Sequence, residues 1–374
     1  MKKIAIVHDQ LREFGGAERV LVALKKIFKD ADVYTSFFDP KTLGVNAYYF
    51  KDWNIKTSWA QNVPFLDRLY SPMRFITPWI WESFNFDEYD VVISSSGAYM
   101  SKGVLTRPET LHICYMHHQP KYLYFYETSR DWQKHLPIRV YGHIINHGLR
   151  IFDFLASQRP DKIIANSEET KKRIEKFYRL ESEVIYPPVE LANEKNVQIN
   201  LEEKFFKKDS YYITTSRLSK AKHIDILIEA SNRAGFKLKI IGSGRDLAYL
   251  KNMAGANVEF LQNVKDSEFN NIYKNAKAFL FASVDEEFGI APVEAMSYGM
   301  PIIAYSSGGL KETVENNKNG YLYKQLNSES LIESINKLEK LSLNDYTIMR
   351  KTARKYAEQY SLEAFKRKIE QLIS

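Results

Sequence analysis

Two glutamates, Glu286 and Glu294, are separated by seven residues in a stretch that passes from acidic to apolar. Carboxylates accept hydrogen bonds, so this pair could hold the hydroxyl groups of a sugar or a ribose. The same pair could act as the acid and the nucleophile of a glycoside hydrolase. Without a chemical role, Glu286 would be a solvated loop acid, and Glu294 would stabilise the positive end of a helix dipole.

Cations and glycines form a second group of candidate residues. Arg217 ends the predicted strand at 211–217, and Lys222 follows it. The two could clamp a diphosphate, Arg as a planar bidentate donor and Lys as a point charge. Gly15 and Gly16 precede an amphipathic stretch, where backbone N–H groups at a helix start could approach an anion. Gly242 begins a similar Gly-Ser-Gly loop. Each feature also fits a solvated loop or a tight turn, and none has the spacing of a nicotinamide-binding loop.

Histidine supplies the last candidate group. His117 ends the predicted strand at 111–117 and could face a ligand, or it could be a buried ring satisfied by hydrogen bonds. The triplet Asp30-Ala31-Asp32 has the form of a metal-binding D-x-D motif. It lies between a predicted helix and a predicted strand, so we interpret it as a helix end. No metal site is predicted.

Strands alternating with amphipathic helices must position these residues. Helices are predicted at 17–28, after His223, and in the stretch 345–374, where Ser361 is the expected N-cap. Short apolar runs predict strands at 3–7, 32–38, 90–96, 111–117, 162–167, 211–217, 237–242, 258–262, 278–283 and 301–306. This order predicts an α/β protein with two doubly wound, Rossmann-like parallel sheets.

The length of 374 residues favours two domains, and the pattern breaks at Pro187 and Pro188. A polar stretch at 190–210 reads as a linker. We therefore expect domains at 1–188 and 189–355, with a C-terminal helix at 356–374 that crosses back to the first domain. A single cysteine excludes a disulfide scaffold and a multi-cysteine zinc site. We expect a cytoplasmic protein, because the N-terminus lacks the long apolar region of a signal peptide and no run reaches the ~18 residues of a membrane span.

Charge and aromatic residues are unevenly distributed. Residues 102–179 contain 14 Lys or Arg and 8 Asp or Glu, and 16 aromatic residues lie between Tyr34 and Tyr89. A basic surface beside an aromatic one suits an anionic lipid interface or a phosphate-bearing substrate, but a solvated face and an aromatic core give the same composition. Nucleic acid is not an expected partner, because no recognised binding module is present and the acidic residues at 285–287 would repel a phosphate backbone.

Taken together, these stretches resemble the family 4 retaining glycosyltransferases of the GT-B fold, in which two Rossmann-like domains face a deep cleft. Glu286 and Glu294 match the family's E-x(7)-E signature, and residues 286–314 resemble its most characteristic segment throughout. The segment VIYPPVE resembles the one that leads into the second domain of the family. The resemblance extends from residue 3 to about residue 370. One departure is Glu287, which replaces the glycine usual before Phe-Gly and adds a carboxylate beside the donor sugar.

The resemblance implies a nucleotide-sugar donor held mainly by the second domain, and no metal, because cations replace it. Glu286 would hold hydroxyls of the transferred sugar, Glu294 would bind the ribose, and His117 would contact the sugar from the first domain. Arg217 and Lys222 would neutralise charge on the departing diphosphate. The remaining implied donor-site residues are Gly15, Gly16, Gly242, Phe288, Gly289, Ile290 and Ala291, with Leu261, Asn263 and Val264 near the base.

Residues 114–127 also resemble a stretch common in mannosyltransferases of bacterial polysaccharide assembly. This resemblance favours GDP-mannose as donor and a growing, lipid-linked cell-surface glycan as acceptor. With the basic and aromatic segments, it implies a peripheral enzyme on the inner face of an anionic membrane. The alternatives are a transferase that uses a UDP-sugar and a soluble acceptor, and a hydrolase that uses Glu286 and Glu294.

Overall fold

The computed structural model describes residues 2–127, 136–193, 210–262 and 264–373, which form two compact units. The first unit takes the described residues of Met1–Tyr126, Asp131–Pro188 and Phe365–Ser374. The second takes those of Glu127–Arg130 and Val189–Ala364. The predicted linker at 190–210 falls mostly outside the described residues.

The described part of the first unit contains a sheet of seven parallel strands in the order β3-β2-β1-β4-β5-β6-β7. The strands are β1 (Ile4–His8), β2 (Asp32–Thr35), β3 (Ile55–Thr57), β4 (Val91–Ser96), β5 (Leu111–Met116), β6 (Lys162–Ala165) and β7 (Glu183–Val184). The helices are α1 (Gly16–Ile27), α2 (Pro40–Leu43), α3 (Leu66–Leu69), α4 (Thr77–Glu82), α5 (Leu136–Ser157) and α6 (Glu168–Tyr178).

The described part of the second unit contains six parallel strands in the order β10-β9-β8-β11-β12-β13. They are β8 (Tyr211–Thr215), β9 (Lys237–Ile241), β10 (Val258–Leu261), β11 (Phe279–Phe281), β12 (Ile302–Tyr305) and β13 (Gly320–Tyr323). The helices of the second unit are α7 (Ile224–Ala234), α8 (Leu247–Met253), α9 (Asp266–Asn275), α10 (Ile290–Ser297), α11 (Leu310–Thr313), α12 (Ser328–Glu339) and α13 (Leu343–Glu358). The last helix, α14 (Leu362–Ile373), lies mostly in Phe365–Ser374, which belongs to the first unit.

Both sheets are doubly wound, as predicted. In each, the strand order reverses beside the first strand, and ligands of such sheets bind at that point, outside the carboxyl ends of the strands. The predicted N-cap is also confirmed, because the Ser361 hydroxyl accepts a hydrogen bond from the Ala364 N–H at 3.3 Å. The sequence patterns did not identify β3, β7, β13 or the long helix α5.

The aromatic segment between Tyr34 and Tyr89 divides between core and surface. Trp81 is fully buried, and its indole N–H donates to the Tyr99 carbonyl at 2.6 Å. Trp79 lies two residues earlier on α4 and is 60% exposed. The aromatic-core interpretation therefore holds for part of this segment, and the rest of it lies at the surface. None of the described helices combines the length and apolar character needed to cross a bilayer.

A buried ion pair ties α5 to the first sheet. Lys102, in a short turn after β4, donates to Asp153 of α5 at 2.6 Å, and their side chains are 1% and 0% exposed. Tyr124 and Tyr178 donate to the other oxygen of Asp153, at 2.7 and 2.8 Å. These bonds satisfy a carboxylate that would otherwise be costly to bury.

Replacing Lys102 with methionine leaves that carboxylate without its cation. We expect the free energy of unfolding to fall by about 3–5 kcal/mol, measured by urea denaturation. Lys3→Met is the control, because Lys3 pairs with Glu88 at a site where both side chains are half exposed. Equal effects of the two substitutions would contradict the assignment of stability to the buried pair.

Candidate functional site

Two of the predicted site residues, Lys222 and Glu286, contact each other. Lys222 ends a short 3-10 turn after β8, and Glu286 follows β11, the strand paired with β8. The Lys222 ammonium donates to Oε2 of Glu286 at 2.5 Å, and the Ser283 hydroxyl donates to the same oxygen at 2.8 Å. Both ion-pair partners are about one-fifth exposed, at 23% and 21%. The structure thus places a cation and an anion together at the carboxyl edge of the second sheet.

The loop that carries Glu286 is held by the loop after β12. The Gly309 N–H donates to the Glu286 carbonyl at 2.8 Å, and the Asp285 N–H donates to the Ser307 hydroxyl at 3.0 Å. Gly308 has φ +54°, and a Cβ there would lie 2.0 Å from the Glu286 carbonyl oxygen. Only glycine permits this approach, so the backbone at Glu286 has a defined position.

Glu294 lies on α10 and is 8% exposed. Pro292, a residue favoured in the first turn of a helix, predicts that Glu294 also lies in that turn, and this prediction is wrong. Gly289, in the left-handed conformation, ends the acidic loop, and the helix begins at Ile290, two residues before Pro292. Glu294 is therefore the fifth helical residue.

The helix α10 is fixed at both ends. Phe288, just before it, is buried and packs edge-on against Tyr360, with ring centroids 5.0 Å apart. Arg350 and Arg354 of α13 donate to carbonyls at its carboxyl end, those of Tyr298 and Ser297. Cations at this end complement the helix dipole. The backbone N–H groups of the first turn, including those of Ile290 and Ala291, have no partner within the helix and are suited to an acceptor on a ligand.

The loops after β8 and β9 contain the other predicted residues of the second unit. Arg217 is exposed on the loop after β8. Gly242 has φ +150°, and a Cβ there would lie 2.0 Å from the Ser216 carbonyl oxygen. Glycine is therefore required because the loop after β8 passes close to this backbone. The Gly242 N–H donates to the carbonyl of Leu261, the last residue of β10, at 3.3 Å. Val264 is half-buried. Asn263 lies outside the described residues.

In the first unit, Gly16 begins α1 and Gly15 is its N-cap. The carboxylate of Glu18 accepts a hydrogen bond from the Gly15 N–H at 2.7 Å, so a side chain already occupies one of the backbone donors expected to face an anion. His117 follows β5 and is buried, with Nε2 2.7 Å from the Ser95 hydroxyl. Sequence reasoning missed Glu18 and Ser95.

The Asp30-Ala31-Asp32 triplet is structural. Asp32 is the first residue of β2 rather than part of a helix end, and it accepts hydrogen bonds from Asn54, Lys56 and Tyr89. Although burial acts against ionisation, these bonds lower the pKa of Asp32. Within the described ranges, no group of three or more His, Cys, Asp or Glu side chains is arranged to hold a metal ion.

Sequence comparison with known proteins identifies the family. Residues 14–193 match the model described as Glycosyltransferase Family 4, and residues 197–360 match that of Glycosyl transferases group 1. An uncharacterized glycosyltransferase of Haemophilus influenzae is 25% identical, with 97% of each chain covered. The alpha-1,3/1,6-mannosyltransferase alg2 of Schizosaccharomyces pombe is 25% identical over 86% of this chain and 70% of its own.

Structural comparison identifies the same fold. The crystal structure of Anabaena Alr3699/HepE in complex with UDP-glucose superposes with a TM-score of 0.70 at 19% identity, covering 100% of this chain and 99% of that one. With the two Rossmann-like units and the two family matches, this likeness establishes that the chain belongs to the family 4 glycosyltransferases of the GT-B fold.

Proposed function

We propose that the chain is a retaining, metal-independent hexosyltransferase that uses a nucleoside diphosphate sugar, with GDP-mannose favoured. The observation that carries the proposal is the pairing of Lys222 with Glu286 at the carboxyl edge of the second sheet, beside the start of α10. The similarity to a mannosyltransferase over most of the chain supports the choice of sugar.

The second unit binds the donor in this proposal. Arg217 and Lys222 bind the diphosphate, which gives Lys222 an anionic partner besides Glu286. Glu286 accepts hydrogen bonds from hydroxyls of the transferred sugar, and Glu294 accepts them from the ribose. The backbone of Phe288–Ala291 assists through the first turn of α10. Leu261 and Val264 lie near the base.

The transfer proceeds at one face of the sugar. The bond between the anomeric carbon and the phosphate oxygen breaks, and the acceptor oxygen bonds to that carbon from the same side. A phosphate oxygen of the donor takes the acceptor's hydroxyl proton, so no side-chain nucleophile is needed. Lys222 and Arg217 neutralise the charge that develops on the diphosphate, and such preorganised charge is usually the largest catalytic contribution. His117 contacts the sugar, and the Gly15–Gly16 helix start adds backbone donors.

The competing hydrolase reading would use Glu286 and Glu294 as acid and nucleophile. It gives no role to Lys222, whose ammonium is bonded to Glu286. The two activities differ in their products, because transfer releases a nucleoside diphosphate and hydrolysis of a glycan does not.

We assign a lipid-linked glycan at an anionic membrane as the acceptor. The observation behind this is α5, whose outer surface exposes apolar side chains by 42–67% and which has no acidic residue before Asp153. Arg139 and His143 are exposed on the same helix. The helix packs on the short turn Arg74–Ile76, which precedes α4 and the exposed Trp79. Apolar and aromatic side chains next to cations suit the headgroup region of an anionic bilayer.

Lys222→Ala and Glu294→Ala test the donor site. Losing one donor contact worth ~3 kcal/mol lowers kcat about a hundredfold, measured as nucleoside diphosphate release from GDP-mannose, with UDP- and ADP-sugars in parallel. Lys251→Ala and Glu333→Ala are matched controls, exposed on α8 and α12, and should retain activity. Thermal unfolding verifies that all four variants fold. Near wild-type turnover in either site variant would reject the assignment.

Transfer should also persist in EDTA, because Arg217 and Lys222 take the place of a metal ion at the diphosphate. A requirement for added magnesium would reject this role of the two cations.

Cosedimentation with vesicles tests the membrane surface. We expect binding to phosphatidylglycerol vesicles at low salt and little binding to neutral ones, because each basic side chain near an anionic surface adds about 1 kcal/mol of attraction. Ile144→Ser, at a position 67% exposed on α5, should weaken binding. Tyr249→Ser is the control, because Tyr249 is 59% exposed but belongs to the second unit. Negligible binding to both vesicle types would favour a soluble acceptor.

A further inference from the structure

Four buried polar side chains form a continuous line in the first unit. His8 ends β1, Ser95 lies near the end of β4, His117 follows β5, and Glu18 lies in the first turn of α1. All four are less than one-tenth exposed. They lie at the carboxyl edge of adjacent strands, where the strand order of the sheet reverses and ligands of such sheets bind.

The contacts run from a carboxylate to an imidazole. Oε1 of Glu18 is 3.4 Å from Nε2 of His8, whose Nδ1 is 3.0 Å from the Ser95 hydroxyl. The same hydroxyl is 2.7 Å from Nε2 of His117. At the other end, Oε2 of Glu18 accepts from the Gly15 N–H at 2.7 Å. Four hydrogen-bonding groups thus connect the start of α1 to His117.

The sheet register brings these residues together. His8 is the direct partner of Ser95 in the β1–β4 pairing, and Ser95 is the partner of Tyr115 in the β4–β5 pairing. Partners in register present their side chains on one face, and a residue two positions later on an extended strand points the same way. His117 is two residues after Tyr115, so it reaches the same side as Ser95.

The chemistry of the groups gives the line a direction. A carboxylate only accepts hydrogen bonds, so the proton of a neutral His8 lies on Nε2 and its Nδ1 is an acceptor. With His8 in this tautomer, the Ser95 hydroxyl donates its one proton to Nδ1 of His8. Ser95 then accepts from Nε2–H of His117. The proton of His117 is therefore on Nε2, and its Nδ1 is the acceptor nitrogen.

We propose that Glu18, His8 and Ser95 are positioning residues that set the ring orientation and the tautomer of His117 and connect it to the backbone at Gly15. In this arrangement Nδ1 of His117 is a hydrogen-bond acceptor, and the hydroxyl groups of the transferred sugar are donors. The consequence for turnover rests on the proposed function, in which His117 contacts that sugar. The tautomer itself does not.

The direct test is the tautomer of each histidine ring, read from long-range proton–nitrogen correlation spectra of the protein labelled with nitrogen-15 at histidine. We expect a single Nε2–H form for His117 in the unaltered protein and a mixture in Ser95→Ala. Ser94→Ala is the matched control, because Ser94 makes an equivalent buried bond to Nε2 of His112 at 2.9 Å, and burial lowers the pKa of His112 to about 4. It should change the His112 signals only.

Glu18→Gln is a second variant that retains the side chain's size and keeps the test decisive if Ser95→Ala does not fold. An amide can donate or accept, so it no longer sets the direction, and both tautomers of His8 and His117 should appear. A His117 ring that keeps the Nε2–H form in every folded variant of Ser95 and Glu18 would overturn the proposal.

Kinetics supply the functional readout. Ser95→Ala should lower kcat about tenfold or more, with the KM for the donor changed less than about twofold, because a misplaced contact affects the transition state more than binding. Ser95→Thr keeps the hydroxyl and should restore turnover, and Ser94→Ala should leave kcat unchanged. An equal loss of kcat in the two alanine variants would show that Ser95 has only a structural role and would contradict the proposal. If the unaltered chain transfers no sugar, the proposed function fails. The spectra still test whether Glu18, His8 and Ser95 set the tautomer of His117.

Discussion

Parallel strand pairing is the constraint on which the chemistry of both units depends. When all strands run in one direction, their carboxyl ends meet at one edge, and the loops that follow them become neighbours. His8 ends β1, and Ser95 is the last residue but one of the adjacent β4. Lys222 and Glu286 follow adjacent strands of the second, although 64 positions separate them. Residues distant in the chain thus come within hydrogen-bonding distance without any dedicated scaffold.

Collecting polar groups at the edge of a buried sheet creates a cost, since an unsatisfied buried donor or acceptor is destabilising by about 1–3 kcal/mol. The first unit offsets part of this cost with hydrogen-bond networks. Asp9, directly after β1, accepts hydrogen bonds from the backbone N–H groups of Gly97, Tyr99 and Ser101 at 2.7–3.0 Å, which orders the loop after β4. The second unit instead keeps the Lys222–Glu286 pair partly exposed, where a bound anion can compete for the cation.

On the outer surface of the first unit, helix geometry decides which side chains are exposed. Trp79 and Trp81 are two positions apart on α4, so one is exposed while the other is in the core. Their opposite environments come from helix geometry, because successive residues point in different directions around the axis. On α5, the buried side chains include Asp153 and Phe152, whereas Ile144 is exposed. Composition alone does not divide such segments between the core and the exposed surface.

The sequence by itself determined the fold class and most of the strands, because a central parallel strand is buried on both faces and has to be apolar wherever it lies. The strands that the patterns missed, β3, β7 and β13, are all at sheet edges, and β3 (IKT) and β7 (EV) each include a charged residue that interrupts an apolar run. Family signatures likewise indicated Glu286 and Glu294 as a pair. Only the tertiary structure decided their surroundings. The left-handed Gly289 sets the start of α10 and moves Glu294 into its second turn. Hydrogen-bond partners such as Lys222 for Glu286, or Ser95 for His117, are selected by strand register and loop packing, and a linear pattern of residue types does not encode those distances.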